Sequence, residues 1–199
     1  MKFLWLNFHL PYACRHSGIC CTSGWPIPIE RDRVAAIDQH IAANVIPLRV
    51  EPWLLTAPNI PEDVAGVLAL RGNAHCVFFE GGSGCAIHDV KPSSCAHFPF
   101  VCLFDPRGVH VTLSHYCPTA ASLLFEHRGP IEIVEGPSPL PDVEGLEGLD
   151  ASEALPPVMP GAGGRLMSFD ELDAWQHDRV ARARIDVLQA DDVAAFDRA

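Results

Sequence analysis

The sequence contains no apolar run near the roughly 18 residues a membrane-spanning helix requires, so a helical span is not what organises this chain. It also lacks a Lys/Arg stripe. Residues 1–130 hold 9 basic and 10 acidic side chains, a net charge of −1. A segment that close to neutrality is a poor match for nucleic acid, whose recognition rests on clustered positive charge. Several short signatures are missing as well: internal repeats, a paired Cys-x-x-Cys knuckle of the zinc-ribbon kind, a Ser/His/Asp or Cys/His set for nucleophilic catalysis, and a recognisable carboxylate pair. The one glycine cluster, residues 81–84, lies between cysteines rather than after a strand, and reads as a turn, not as a nucleotide loop.

Cysteine is plentiful, with eight in 199 residues. How they are read depends on compartment. The start, residues 1–10, is faintly like a signal peptide, but Asn7 and His9 break its short apolar part and no small-x-small cleavage site follows before Pro11. Pro11 and Tyr12 also occupy positions where a lipoprotein reading of Cys14 would need small and aliphatic residues. We therefore expect a cytoplasmic protein without a membrane association. In a reducing cytosol, thiols at short spacings point to metal binding rather than to a disulfide framework.

The length fits one ordinary domain with an appendage, and composition divides it into three stretches. Residues 1–130 carry all the cysteines and are expected to be a cysteine-cluster metal-binding domain. Residues 131–164 hold 7 acids and no basic residue, and with their prolines and glycines read as an acidic linker. Residues 165–199 carry 5 basic and 8 acidic side chains and are expected to be an amphipathic helical segment able to dock a protein partner. The fold class expected is α+β: a small metal-stapled domain of short helices and hairpins, plus the C-terminal helix.

In chain order, residues 1–13 read as a strand or extended arm packing Phe3, Leu4, Trp5, Leu6 and Phe8. Residues 14–24 form a turn-rich loop. A helix is predicted over 31–43, with Val34, Ile37 and Ile41 on one stripe. A second is predicted over 61–70, because proline at 61 suits a first turn and Glu62 and Asp63 favour the helix dipole. Residues 76–80 and 85–88 are predicted to pair across the 81–84 turn. Pro92 starts a short helix bearing Cys95. A strand is expected over 109–113, a helix over 118–127 with Ala121, Leu124 and Phe125 apolar, and a strand over 131–134. Ser168 and Glu171 form a capping box for a helix reaching about residue 188, with Phe169, Leu172, Trp175, Val180 and Ile185 as its stripe, and a last turn or two is expected over 191–198.

The cysteines fall as Cys14-x5-Cys20-Cys21, then Cys76-x8-Cys85-x9-Cys95, then Cys117. Thiolate ligands must converge on one ion, and glycine-containing loops allow this. Zinc takes four in a tetrahedron, and iron–sulfur clusters use the same donors. We predict metal ligation by Cys14, Cys20, Cys21, Cys76, Cys85, Cys95 and Cys117, with zinc or iron, including an iron–sulfur cluster such as 4Fe-4S, as the cofactor.

These residues resemble the YkgJ-type cysteine-cluster proteins, described as zinc- or iron-chelating domains. That family's pattern opens Cys-x-x-Cys-Gly-x-Cys-Cys, which Cys14-Arg-His-Ser17-Gly18-Ile-Cys20-Cys21 follows with Ser17 in place of the second cysteine. Cys76-Val-Phe-Phe follows its Cys-x-Phe-Leu. Gly84-Cys85-Ala-Ile87-His88-Asp-Val-Lys91-Pro92-Ser-Ser-Cys95-Ala96-His-Phe98-Pro99 follows its third part, with His88 for Tyr, Lys91 for Arg and Ala96 for Arg. Cys117-Pro118 ends the match, which covers roughly residues 10–120. The resemblance implies seven family ligands with a gap at Ser17. Cys102, His16, His88 or His97 are the candidates for an eighth; without one, a site would keep an open position, or Ser17 marks a weakened site. Distant similarity to flagellin lysine N-methylase makes a protein-modifying enzyme an alternative, and a non-enzymatic, metal-stapled interaction module is another. His9, His75, His110, His115 and His127 read individually as core or surface residues, and Glu80 and Asp89 as groups that would orient ligands.

Overall fold

The computed structural model describes residues 1–46, 51–56, 59–72, 74–141, 146–152 and 166–182. In chain order its elements are β1 (Phe3–Leu6), α1 (Ile19–Thr22), β2 (Pro28–Glu30), α2 (Arg31–Ala42), β3 (Leu54–Leu55), β4 (Val64–Leu68), α3 (Ser93–His97), β5 (Phe100–Asp105), β6 (Gly108–Leu113), α4 (Pro118–Glu126), β7 (Ile133–Gly136), β8 (Leu149–Asp150) and α5 (Phe169–Arg182). The chain is thus α+β, with five helices and two sheets among the described residues. It divides into two compact units. One comprises Met1–Tyr12, Phe100–Leu113 and Ala120–Ala199; the other comprises Ala13–Pro99 and Ser114–Thr119. The cysteines are therefore not confined to one body, because Cys102 falls in the first unit and the other seven in the second.

The first unit is built on a sheet of order β7-β1-β6-β5-β8, in which β1 runs parallel to β6 and β5 and β6 form an antiparallel hairpin. Alternation places Phe3 and Trp5 of β1, Cys102 of β5, and Val109 and Val111 of β6 in one buried cluster. The described residues of 131–164, expected as a linker, contribute to this unit: β7 pairs antiparallel with β1, β8 pairs with β5, and Leu146 is buried. Composition alone hid this because short edge strands tolerate the neighbouring prolines.

The capping box before α5 forms reciprocally: Glu171 N–H donates to Ser168 Oγ at 3.2 Å, and Ser168 N–H donates to Glu171 Oε2 at 2.8 Å. The half-buried face of α5 includes Phe169, Leu172, Trp175 and Val180, as predicted. Ile185 and the turn expected over 191–198 lie outside the described residues. That face meets the turn of the β5–β6 hairpin, where Arg107 donates to Gln176 Oε1 at 2.6 Å and lies 5.8 Å from the Phe169 ring centroid. On α4, the buried positions are Thr119, Ala120 and Leu123, whereas Phe125 of the predicted stripe is 64% exposed.

In the second unit, β4 pairs antiparallel with both β2 and β3. Here the helix predicted over 61–70 is corrected to a strand. Gly66 weakens a helix by about 1 kcal/mol relative to alanine, and the β-branched Val64 and Val67 favour a pleated surface. Tertiary pairing with Ile29 and Leu54 then decides the outcome. The helix predicted over 31–43 is α2, and its Val34, Ile37 and Ile41 pack into the unit's core with Ile29, Trp53, Leu68 and Ile87. Residues 76–88 do not form a long hairpin. Single bridges join Leu70 to Cys76 and Phe79 to Cys85, with 3-10 turns at Gly81–Ser83 and His88–Val90. The glycine-rich turn is too tight, and the apolar residues too buried, for two flat strands.

Candidate metal centre

Gly18 begins the first cysteine segment with φ +75°, a left-handed conformation that glycine adopts without penalty. The chain turns there into α1, within the stretch predicted as loop, and Cys21 N–H donates to Gly18 O at 2.9 Å. Both Cys20 and Cys21 are thereby fixed on one short helix. Cys76 N–H donates to Cys21 O at 2.7 Å, which binds the second cysteine segment to the first. The bridge between Phe79 and Cys85 then returns the chain past the glycine turn. Cys95 stands on α3, whose start is held by the Glu30 carboxylate accepting from Ser93 N–H at 3.1 Å.

Cys20, Cys21 and Cys85 come together as a result. Cys20 Sγ lies 4.0 Å from Cys21 Sγ, and the Cys21 thiol also hydrogen-bonds Cys85. Cys76 and Cys95 lie within electrostatic reach of both Cys85 and Cys20. Cys21 is pushed up, first by its hydrogen bonds to Cys20 and Cys85 and then by burial, so it keeps the proton it donates. Cys20 is the beneficiary: the Cys21 hydrogen bond lowers it to about 6, against the opposing effect of burial. Cys85 is lowered for the same first reason. Burial pushes Cys76 up to about 11 and Cys95 up to about 12, with the charges of Cys85 and Cys20 adding to both. This set ionises easily at two positions and only with difficulty at the others.

The basic side chains acting on these sulfurs are few. Lys91 favours the thiolates of Cys20, Cys85 and Cys95, and Arg71 favours that of Cys76. Arg71 did not stand out in the sequence as part of a site; Lys91 did only as the residue that stands for Arg in the family pattern. One ammonium shared by three thiols leaves negative charge uncompensated when several ionise, which a bound cation would offset. The donors are soft sulfur, the type that zinc and iron–sulfur clusters take. All eight cysteines are free thiols. The donor type fits such a group, although no three of these sulfurs all lie within 4.8 Å of one another.

Cys14, the first of the predicted ligands, lies in a different grouping. Among the described residues, the one set of three or more donors whose ligand atoms all lie within 4.8 Å of one another is Cys14, His16 and His88. The His16 and His88 ring centroids are 4.5 Å apart. His88 is lowered first by burial and then by the neighbouring Lys91, whose Nζ lies 3.2 Å from His88 Nε2, so the ring stays neutral. Comparisons with family models, curated proteins and solved structures find no match to this chain.

Of the remaining candidates, Cys117 is buried in the same unit. Its segment is anchored to the residues after α3, with Ser114 N–H donating to Pro99 O at 2.8 Å. Cys102 is in the first unit, packed among Phe3, Trp5 and Val111, and burial pushes its thiol up. That is the setting of a packing cysteine, and it removes Cys102 from the candidates for an eighth ligand.

The first unit contains a polar cluster that sequence reasoning missed. The Asp105 carboxylate, 5% exposed, accepts from Arg107 Nη2 at 2.6 Å and Arg107 N–H at 2.8 Å, and His110 Nε2 lies 3.0 Å away. Burial alone would raise Asp105, but the Arg107 donors and His110 outweigh it and lower the carboxyl. Its place at the hairpin turn and its contacts to α5 mark it as structural.

Proposed function

We propose that this is a cytoplasmic metal-binding protein whose second unit holds zinc or an iron–sulfur cluster through its cysteine thiolates. One observation carries the reading: Cys20, Cys21 and Cys85, from two separate segments, hydrogen-bond in a row with Cys76 and Cys95 in electrostatic reach. Partly and fully buried thiols gathered in this way repel one another on ionising, and a cation reverses that repulsion. The spacing resemblance to the YkgJ-type proteins supports the same reading. The ligand set that resemblance implies also includes Cys117, buried in the same unit, and Cys14, which stands apart beside His16 and His88. Bound zinc would hold the unit together, and a cluster would in addition carry electrons.

The test is anaerobic purification of the full chain followed by metal and acid-labile sulfide analysis with a visible spectrum. The expected result is at least one equivalent of metal, colourless for zinc and brown for a cluster. Metal below about one equivalent, with the thiols paired as disulfides, refutes the proposal. Cys85→Ser and Cys95→Ser should each release metal and unfold the second unit, because the binding energy of a structural site, about 10–16 kcal/mol for zinc in small domains, is also folding energy. Variants that stay folded and metal-loaded would show these are the wrong ligands.

A further inference from the structure

We propose that Cys14, His16 and His88 form a second, mononuclear zinc site, separate from the thiols of Cys20, Cys21 and Cys85, with its fourth position open to an exchangeable water or anion. The inference rests on the metal-binding reading above only in sharing its unit, and it assigns Cys14 to different partners from the other thiols. The donors come from two segments far apart in sequence, and their ligand atoms lie within 4.8 Å of one another. A tetrahedral zinc ion about 2.0–2.3 Å from its ligands sets them about 3.3–3.6 Å apart, so closure requires side-chain movements of about one ångström.

Three features of the chain hold the donors in place. His16 has φ +56°, a left-handed conformation that histidine adopts more readily than bulkier residues, and it turns the imidazole back toward Cys14. His16 N–H lies 3.4 Å from Cys14 Sγ and donates to it, the kind of backbone donor that supports a metal thiolate. Gly84 leaves room for the His16 ring: a Cβ there would come within 2.7 Å of His16 Cβ and 2.8 Å of His16 Nδ1. The loop and the glycine turn are thus fitted to each other around one histidine. His88 Nδ1 faces Asp89 Oδ1 at 3.6 Å and its Nε2 faces the Lys91 ammonium at 3.2 Å, so binding an ion at Nε2 also requires the Lys91 side chain to swing aside.

The donor set is one sulfur and two nitrogens. Structural zinc sites close with four protein ligands, whereas three ligands and a solvent position characterise sites that bind or activate a small molecule. Cys14 and His16 are exposed and His88 is partly so, which leaves the fourth position accessible from solvent. Ser17 follows His16 directly, so the place where the family pattern has a thiolate is, in this chain, next to an imidazole that takes a position beside Cys14.

The experiment compares the full-length protein with His16→Ala, His88→Ala and Cys14→Ser, each loaded with zinc alone and then washed with a weak chelator. The exposed positions of the donors make these variants tolerable to the fold, which circular dichroism and Tm verify. The wild type should retain one equivalent of zinc more than each variant. Cobalt substitution should give a thiolate-to-metal charge-transfer band that loses intensity in Cys14→Ser and shifts in the histidine variants. Equal zinc stoichiometry in all four proteins overturns the proposal, as does a cobalt spectrum that none of the three substitutions alters. If the thiolate cluster fails to load at all, the difference is still read, as one equivalent against none. The two readings therefore fail separately.

Discussion

Replacing Gly18 with alanine tests whether the entry to α1 is what brings Cys20 and Cys21 to the other thiols. Two costs can be worked from the structure. An L-residue at φ +75° costs about 1–2 kcal/mol. The added Cβ would also lie 2.7 Å from Phe79 Cζ and closer still to Cε2, an overlap that forces the ring or the loop to move. Overpacking of that kind typically costs about 1–3 kcal/mol. Together they predict a loss of about 2–5 kcal/mol. The assay is urea unfolding of the full chain, followed by the fluorescence of Trp25 and Trp53, both in the second unit. With a slope of about 2 kcal/mol per molar urea, the midpoint should fall by about 1–2.5 M. The cycle with Phe79→Ala separates the two terms. Removing the ring relieves the overlap and leaves the backbone cost, so the double variant should be more stable than additivity predicts by about 1–3 kcal/mol. Additive losses, or a Gly18→Ala midpoint unchanged within error, would refute the argument that this glycine and this ring fix the first cysteine segment.

Two further predictions concern the first unit. Cys102→Ala should cost about 1 kcal/mol of stability for the lost packing and leave metal content unchanged; a drop in bound metal would return Cys102 to the ligand set. Asp105→Asn should destabilise by about 3 kcal/mol near pH 7, since it leaves the Arg107 guanidinium, 12% exposed, without its carboxylate. The folded carboxyl is lowered, so its contribution is fully present above the ordinary value of about 3.9 and is lost as pH falls through the lower folded value. Thermal melts of the two proteins should therefore differ at pH 5–7 and draw together only as the pH falls below the ordinary carboxylate value. A difference that vanishes between pH 7 and 5 contradicts this account.

The sequence by itself determined the local elements whose signals are local. The apolar stripe Val34, Ile37 and Ile41 makes α2 helical whatever surrounds it, Ser168 and Glu171 close their own capping box, and Pro92 starts the turn of helix that bears Cys95. It also determined that thiols would be the chemistry to follow, because spacing and glycine content are visible without a fold. Only the tertiary structure decided which thiols meet. Cys117, inside the predicted ligand set, is buried in the second unit, whereas Cys102, outside it, lies in the sheet core of the first. The same holds for 61–70, where proline and acids signal a helix start and pairing with β2 and β3 makes a strand instead. Cys14 meets His16 and His88 because Gly84 leaves space for an imidazole, a fact about clearance that no spacing rule contains. The physical reason is the same in each case: propensity and periodicity act over a few residues, whereas convergence of donors depends on long-range pairing and on which atoms exclude one another.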